Sequence, residues 1–263
     1  MDRASATRCD LALARGILYR VSSHHFRHPD PGWHAEWRAL AEGARTAARL
    51  CCAEDGSSAT LRTALERALT GRLDLGAIVA EHTQVLGHIP RAAATPYETE
   101  WTGAAGDLLQ YHQISDVAAF YHAFSLELGA GCDERPDHIS VELEFLHYLC
   151  VKEAWAEEQH ARDLARICRE TTRKFLSEHL ARWSPGLSAR LSAASAGGFY
   201  AGAAALLSAW IEDECRRLGA EPGAPFLAPS ASSFRPEDAC IGCGHAAACL
   251  SELRGVTRVG ARV

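Results

Sequence analysis

Three groups of side chains in this sequence have types and spacings that could do chemistry. The first is Cys240-Ile241-Gly242-Cys243-Gly244-His245 with Cys249. A C-x-x-C pair on a glycine turn can bring two thiolates to one ion, and His245 and Cys249 complete four ligands. Zinc is one expectation, with an iron–sulfur centre a smaller share of it. A tail of free or redox-labile thiols is the other, because structural zinc sites usually draw their second pair from a second knuckle and none is present. The second group is two Glu-x-x-His pairs, Glu144 with His147 and Glu157 with His160. In di-iron bundles such pairs come from facing helices. Here they start 13 residues apart (144 and 157), too close for the chain to turn back. On one helix they would be about 20 Å apart. Chance on charged helix faces explains them better.

The third group opens with Glu134-Arg135-Pro136-Asp137-His138-Ile139. Asp137 can cap a helix there by accepting from free backbone N–H groups, leaving His138 as an ordinary first-turn residue. Tyr97, Glu98, Glu100 and Trp101 precede another helical stretch, and Asp116, Phe120 and Tyr121 lie within it. If these converge, they make an aromatic-walled groove with carboxylates at its edge. Such a groove suits a peptide with an apolar stretch and a basic head. Other chemistry is missing from the sequence: it has no Walker-type loop, no G-x-S-x-G elbow and no H-E-x-x-H. A G-x-G-x-x-A match at Gly242 has no strand before it.

The elements that must position these groups read as helices almost throughout. Ala is abundant, and no stretch alternates apolar and polar residues over six positions. Helices are expected over Arg8–Ser22, with Leu11, Ala14 or Arg15, Leu18 and Val21 on one face, and over Trp33–Cys52, with Trp37, Leu40, Ala44, Ala47 and Leu50 or Cys51. Ala59–Leu69, Leu73–Leu86, Asp107–Leu128 and Phe199–Leu218 are expected to be helical as well. His24–Gly32, with two prolines, reads as a loop. From Asp137 to Ser184 there is neither Gly nor Pro. That block holds one very long helix or two joined near Glu157–His160. The expected fold is all-α: one helical-bundle domain over 1–218, then a Pro- and Cys-rich arm over 219–263. Four of the ten prolines fall between Pro222 and Pro236.

Composition limits the function further. Lys+Arg 27 against Asp+Glu 33 leaves a net charge of −6 over 263 residues, which argues against a phosphate-gripping nucleic-acid binder. The mildest run, Ala193–Ile211, is too rich in Ala, Ser and Gly to span a bilayer. The first eleven residues lack an apolar export region, so a cytoplasmic location is expected. The scattered cysteines at 9, 51, 52, 132, 150, 168 and 215 read as small hydrophobes.

Four segments carry a resemblance. They are Pro96-Tyr97-Glu98-Thr99, Asp116-Val117-Ala118-Ala119-Phe120-Tyr121-His122-Ala123-Phe124, Arg135-Pro136-Asp137-His138-Ile139-Ser140-Val141-Glu142-Leu143-Glu144-Phe145-Leu146, and Phe175-Leu176-Ser177-Glu178-His179-Leu180-Ala181-Arg182-Trp183. Over about residues 8–218 the chain resembles the TorD/DmsD/NarJ-type cytoplasmic chaperones that mature molybdenum oxidoreductases. Its wording is nearest those of the dimethylsulfide, ethylbenzene, selenate and chlorate enzymes.

The resemblance implies an all-helical fold without catalysis and without a required cofactor. It implies binding of the apo catalytic subunit and its twin-arginine signal peptide until the molybdenum cofactor is in place. By that carry-over Asp137 and His138 contact the peptide, and Tyr97, Glu98 and Trp101 line the groove wall. Asp116, Tyr121 and Glu142 complete the candidate set; that Glu142 and Glu144 offer charge to the arginines is read from their own chemistry and is not implied by the resemblance. Ser125 stands where relatives are expected to carry Gly. The Cys-rich tail is not a general feature of these proteins; a metal-stabilised arm, a redox sensor and a contact for the client's iron–sulfur partner all remain open. The competing readings are a metal-binding helical-bundle redox protein or enzyme, using the tail or the Glu-x-x-His pairs, and a helical interaction module with no link to export.

Overall fold

The helical spacing closes into an all-α body in the computed structural model, which describes residues 3–55, 59–70, 74–87, 94–101, 107–129, 134–195, 197–225 and 229. The order is α1 (Arg3–Phe26), α2 (Trp33–Asp55), α3 (Ala59–Leu69), α4 (Leu75–Leu86), a 3-10 turn (Glu98–Glu100), α5 (Asp107–Ala123), α6 (Ile139–Glu158), α7 (Arg162–Phe175), a π turn (Leu176–Leu180), α8 (Ala181–Ala194) and α9 (Phe199–Leu218). The described residues belong to one compact unit, and residues 231–263 lie outside them.

α6 lies between α1 and α7, while α9 packs on α3 and α8. Leu143, Leu146 and Leu149 of α6 are fully buried, each contributing about 1.5–3 kcal/mol by leaving water. The 48-residue block without Gly or Pro divides where a break was expected: α6 stops at Glu158, and His160 turns the chain with φ 57°.

Two local readings need correction. The loop expected from His24 begins later, because α1 runs on to Phe26. His24 stacks on Trp33 at 4.8 Å, and His25 meets Trp37 edge-on at 4.5 Å. Both are core residues, and burial pushes the His25 imidazole down to about 4, so it stays neutral. On α2, where Leu50 or Cys51 was expected on the apolar face, it is Cys51 that faces inward.

The helix expected to reach Leu128 stops at Ala123. Leu126 N–H reaches back to Tyr121 O at 3.0 Å and Ser125 N–H to His122 O at 2.9 Å, which is the Schellman pattern. The left-handed residue this needs is Ser125, with φ 56°. A serine Cβ is strained there, at the position where relatives were expected to carry Gly. Ser125→Gly is therefore expected to stabilise the fold by about 1 kcal/mol. Thermal melts check this; an unchanged or lowered Tm would show that the turn is not limiting.

The tail begins as part of the body. Pro185 lies within α8 and has no N–H, so its ring leaves the Ala181 carbonyl without the usual helical donor. Gly223 N–H donates to Ala181 O at 2.6 Å. A Cβ at Gly223 would stand 2.0 Å from Arg182 O, so no other residue can make this approach.

Buried charge joins the helices. Arg15 of α1 forks onto Glu214 of α9 and donates to Glu153 of α6, while Tyr19 OH donates to Glu214 at 2.9 Å. Arg169 of α7 holds Glu153 and Glu157. Burial alone would push the Arg15 guanidinium down. The Glu214 and Glu153 carboxylates more than offset this and hold it well above its usual range.

Candidate functional site

The residues singled out around Asp137 do converge, in a junction where two segments pair by backbone. Ile139 N–H donates to Pro96 O at 2.8 Å and Glu98 N–H to Asp137 O at 2.9 Å, with an antiparallel bridge between Tyr97 and His138. Pairing of this kind needs extended chain on both sides, and Pro96 and Pro136 each push the preceding residue that way.

Asp137 is not the helix cap. His138 is: its Nδ1 accepts from Ser140 N–H at 3.2 Å and lies 2.7 Å from Ser140 Oγ. The Asp137 carboxylate points instead into the paired segment. Its Oδ2 accepts from Thr99 Oγ1 at 2.7 Å and from Thr99 N–H at 3.2 Å. Arg135 forks onto both of its oxygens at 2.9 and 2.8 Å and also reaches Thr99 Oγ1. The Arg135 guanidinium lies 4.1 Å from the centre of the Tyr97 ring, whose hydroxyl donates to Glu134 at 2.8 Å. Burial and the neighbouring Glu134 raise the Tyr97 hydroxyl above its usual range.

A second cluster lies beside the first. His179, on the π turn, has Nδ1 3.1 Å from Glu98 Oε2 and Nε2 3.5 Å from Asp116 Oδ2. Trp183 Nε1–H donates to Glu142 Oε2 at 3.3 Å, and Trp101 Nε1–H to Thr95 O at 2.9 Å. Tyr121 OH donates to Pro136 O at 2.8 Å, and its ring packs on Phe145 and Phe175.

The aromatic wall is thus real but closed. Glu98, Asp137 and Glu142 have no exposed surface, and Tyr97, Trp101, Tyr121 and His138 are buried. Of the eight residues assigned to the site, Asp116 alone keeps an open side chain. The junction fixes how the chain enters α6; it does not present a row of carboxylates to solvent. Thr99, Arg135 and His179 were missed as site residues, although all three fall inside the motif segments. Their signal was charge pairing: each is a polar residue in a motif beside a carboxylate that needs a partner.

Burial, together with the nearby Glu98 and Asp137 carboxylates, pushes the Glu142 carboxyl well above its ordinary value of 4.5. A carboxyl raised in the folded state binds more protons there than in the unfolded chain. Stability contributed by Glu142 is therefore full below pH 4.5 and declines as pH rises above it. Glu142→Gln, which cannot ionise, is expected to match the wild type near pH 4.5 and to exceed it increasingly toward pH 8. Denaturant melts at several pH values test this, and a difference that does not grow with pH would sink it.

The Glu-x-x-His pairs have other employment. Glu144 pairs with Arg20, and His147 Nδ1 lies 2.9 Å from Gly16 O. Glu157 is held by Arg8 and Arg169, and His160 makes the turn. Among the described residues no group of three His, Cys, Asp or Glu could hold a metal. The candidate ligands Cys240, Cys243, His245 and Cys249 lie outside the described residues. Among the described residues no helix is long and apolar enough to cross a membrane.

A family model described as nitrate reductase delta subunit matches residues 30–189, a span that contains every contact of the Asp137 junction. A selenate reductase assembly chaperone protein of Thauera selenatis is 37% identical over 106 residues, 40% of this chain and 53% of that protein. A chlorate reductase assembly chaperone protein of Ideonella dechloratans is 36% identical over 109 residues, 41% of this chain and 54% of that one. The chaperone protein TorD of Vibrio cholerae (strain ATCC 39541) is 27% identical over 124 residues, 47% and 54% of the two chains. The chain spans about half the length of the curated relatives it matches. With more than half of its residues matched by the family model, and with the all-helical fold and the TorD-type motifs in place, this chain belongs to the nitrate reductase delta subunit family.

Proposed function

We propose that this protein is a cytoplasmic assembly chaperone that binds the apo catalytic subunit of a molybdenum oxidoreductase, together with its twin-arginine leader, and assists cofactor insertion before export. The observation that carries the reading is the family match, which takes in the whole junction from Thr95 to Trp183. Relatives named as assembly chaperones of selenate and chlorate reductases support it. On this reading the chain performs no catalysis, and its buried junction positions a binding surface. The net charge of −6 suits a partner segment bearing arginines.

Titration calorimetry against the leader and the apo catalytic subunit of the oxidoreductase encoded beside it tests the reading. Binding to both is expected, with the leader weakened when its arginines become lysines, because a guanidinium fork matches a carboxylate and an ammonium does not. Binding to neither ligand would sink it.

A further inference from the structure

The outer face of α2 is covered by none of the described residues. Ala35, Ala39, Glu42, Thr46 and Arg49 follow one another by steps of 4, 3, 4 and 3, and all five are exposed. That is the spacing of a seam that receives another helix. The inner face of α2 is spent on the core, where Trp33, Trp37, Ala44, Ala48 and Cys51 are buried. Along one flank of the outer ridge, α1 and α2 enclose an open groove of about 420 Å³, with Leu13, Ile17, Ala47 and Leu50 in its lining. Leu13 is 42% exposed and Leu50 45%, so this groove keeps apolar surface in water.

Two charges on the ridge are unpaired. Among the described residues Glu42 meets no cation, and Arg49 donates to Thr46 Oγ1 at 2.9 Å but to no carboxylate. Arg45 beside them differs: it forks onto Glu66 at 2.9 and 3.1 Å, so its charge is met within the chain. Glu42 and Arg49 stand two turns apart on one face, about 10.5 Å along the helix.

This pattern names its occupant. A partner segment of one sign would satisfy one of the two charges and set a like charge against the other. A face that carries an acid and a base at the same spacing, running the opposite way, satisfies both. The α2 face of a second copy is such a face. With a two-fold axis crossing α2 between Arg45 and Thr46, the Glu42 of each copy meets the Arg49 of the other. The same axis keeps each flank opposite itself, so the apolar groove of Leu13, Ile17 and Leu50 lies against its own copy.

We infer that this chain self-associates through the outer face of α2, as a two-fold dimer held by reciprocal Glu42–Arg49 ion pairs and by the Leu13–Leu50 groove. The inference is independent of the chaperone reading and stands or falls without it.

Sedimentation equilibrium of the full chain, from about 1 to 100 µM, tests it. The wild type is expected to dimerise within that range. Glu42→Arg sets arginine against arginine, and Arg49→Glu sets glutamate against glutamate. Each alone is expected to weaken the dimer by about a hundredfold or more. An equimolar mixture of the two variants is expected to recover it, because both ion pairs then form again with their signs exchanged. Both positions are exposed, so melting curves should not move. Trp155→Asp, at a position of α6 that is 49% exposed, is expected to leave the dimer within about twofold. A wild type that stays monomeric up to about 100 µM overturns the inference. So do a dimer that survives both reversals and a mixture no more dimeric than its parts. Loss of the dimer in Trp155→Asp overturns it as well, since the contact would then lie on α6.

Discussion

Arg15→Ala is expected to remove about 3–5 kcal/mol of folding stability, the range for taking one partner out of a buried ion pair. Arg15 is 2% exposed and carries the charge that neutralises two buried carboxylates on different helices. Its Nε and Nη2 grip Glu214 at 2.9 and 2.8 Å, and Nη1 holds Glu153 at 2.9 Å. Without it Glu214 keeps Arg217 at 3.3 Å and the Tyr19 hydroxyl, while Glu153 keeps Arg169. Arg217 makes no fork on Glu214, and Arg169 reaches a single oxygen of Glu153, so both carboxylates stay poorly compensated in low dielectric. Arg15→Lys should cost less than alanine but more than a surface change, because one ammonium cannot bond both carboxylates in the same geometry. Urea melts decide it. A loss under about 1 kcal/mol for Arg15→Ala would mean that water or Arg217 takes over the site, and that the α1–α6–α9 clamp is not where stability resides.

That clamp shows where the sequence is hard to read. The helical period of α1 was plain, and Leu18 and Val21 fell on the buried face as the spacing required. Arg15 stood on the same face, but a charged residue there is legible as buried only if its partners are known, and these lie 138 and 199 residues away. The limits of α3 and α9 were legible because Gly71 follows the first and a glycine stands at each end of the second. The end of α5 was not, because the left-handed position holds Ser125, which carries no such signal. His24 and His25 were misread because a histidine's polarity depends on its surroundings. With His24 stacked on Trp33 and His25 edge-on to Trp37, they pack as core rings. The convergence on Asp137 was legible through motif resemblance. Its closure was not, because helical spacing says which residues share a face but not which segment lies over them.

Asp137→Ala is expected to lower stability by about 2–4 kcal/mol and to loosen one place before the rest. The carboxylate accepts from Thr99 N–H and Oγ1 and from the Arg135 fork, so its removal orphans a buried amide and a buried hydroxyl together. Arg135 suffers less, since its side chain is 42% exposed and can turn to water. Asp137→Asn keeps an acceptor for Thr99 and loses the charge, so it should cost about half as much. The backbone pairing of Glu98 with Asp137 and of Ile139 with Pro96 depends on the same geometry. Amide hydrogen exchange at Glu98, Thr99 and Ile139 should therefore accelerate in the alanine variant while the Leu143–Leu149 amides of α6 stay protected. Because Pro136 O holds the Tyr121 hydroxyl, the ring that packs on Phe145 and Phe175 should loosen with it. A variant whose Thr99 amide exchanges at the wild-type rate would show that Asp137 does not hold the junction. One that exchanges fast there yet melts with the wild type would show that the junction opens without drawing on the stability of the body.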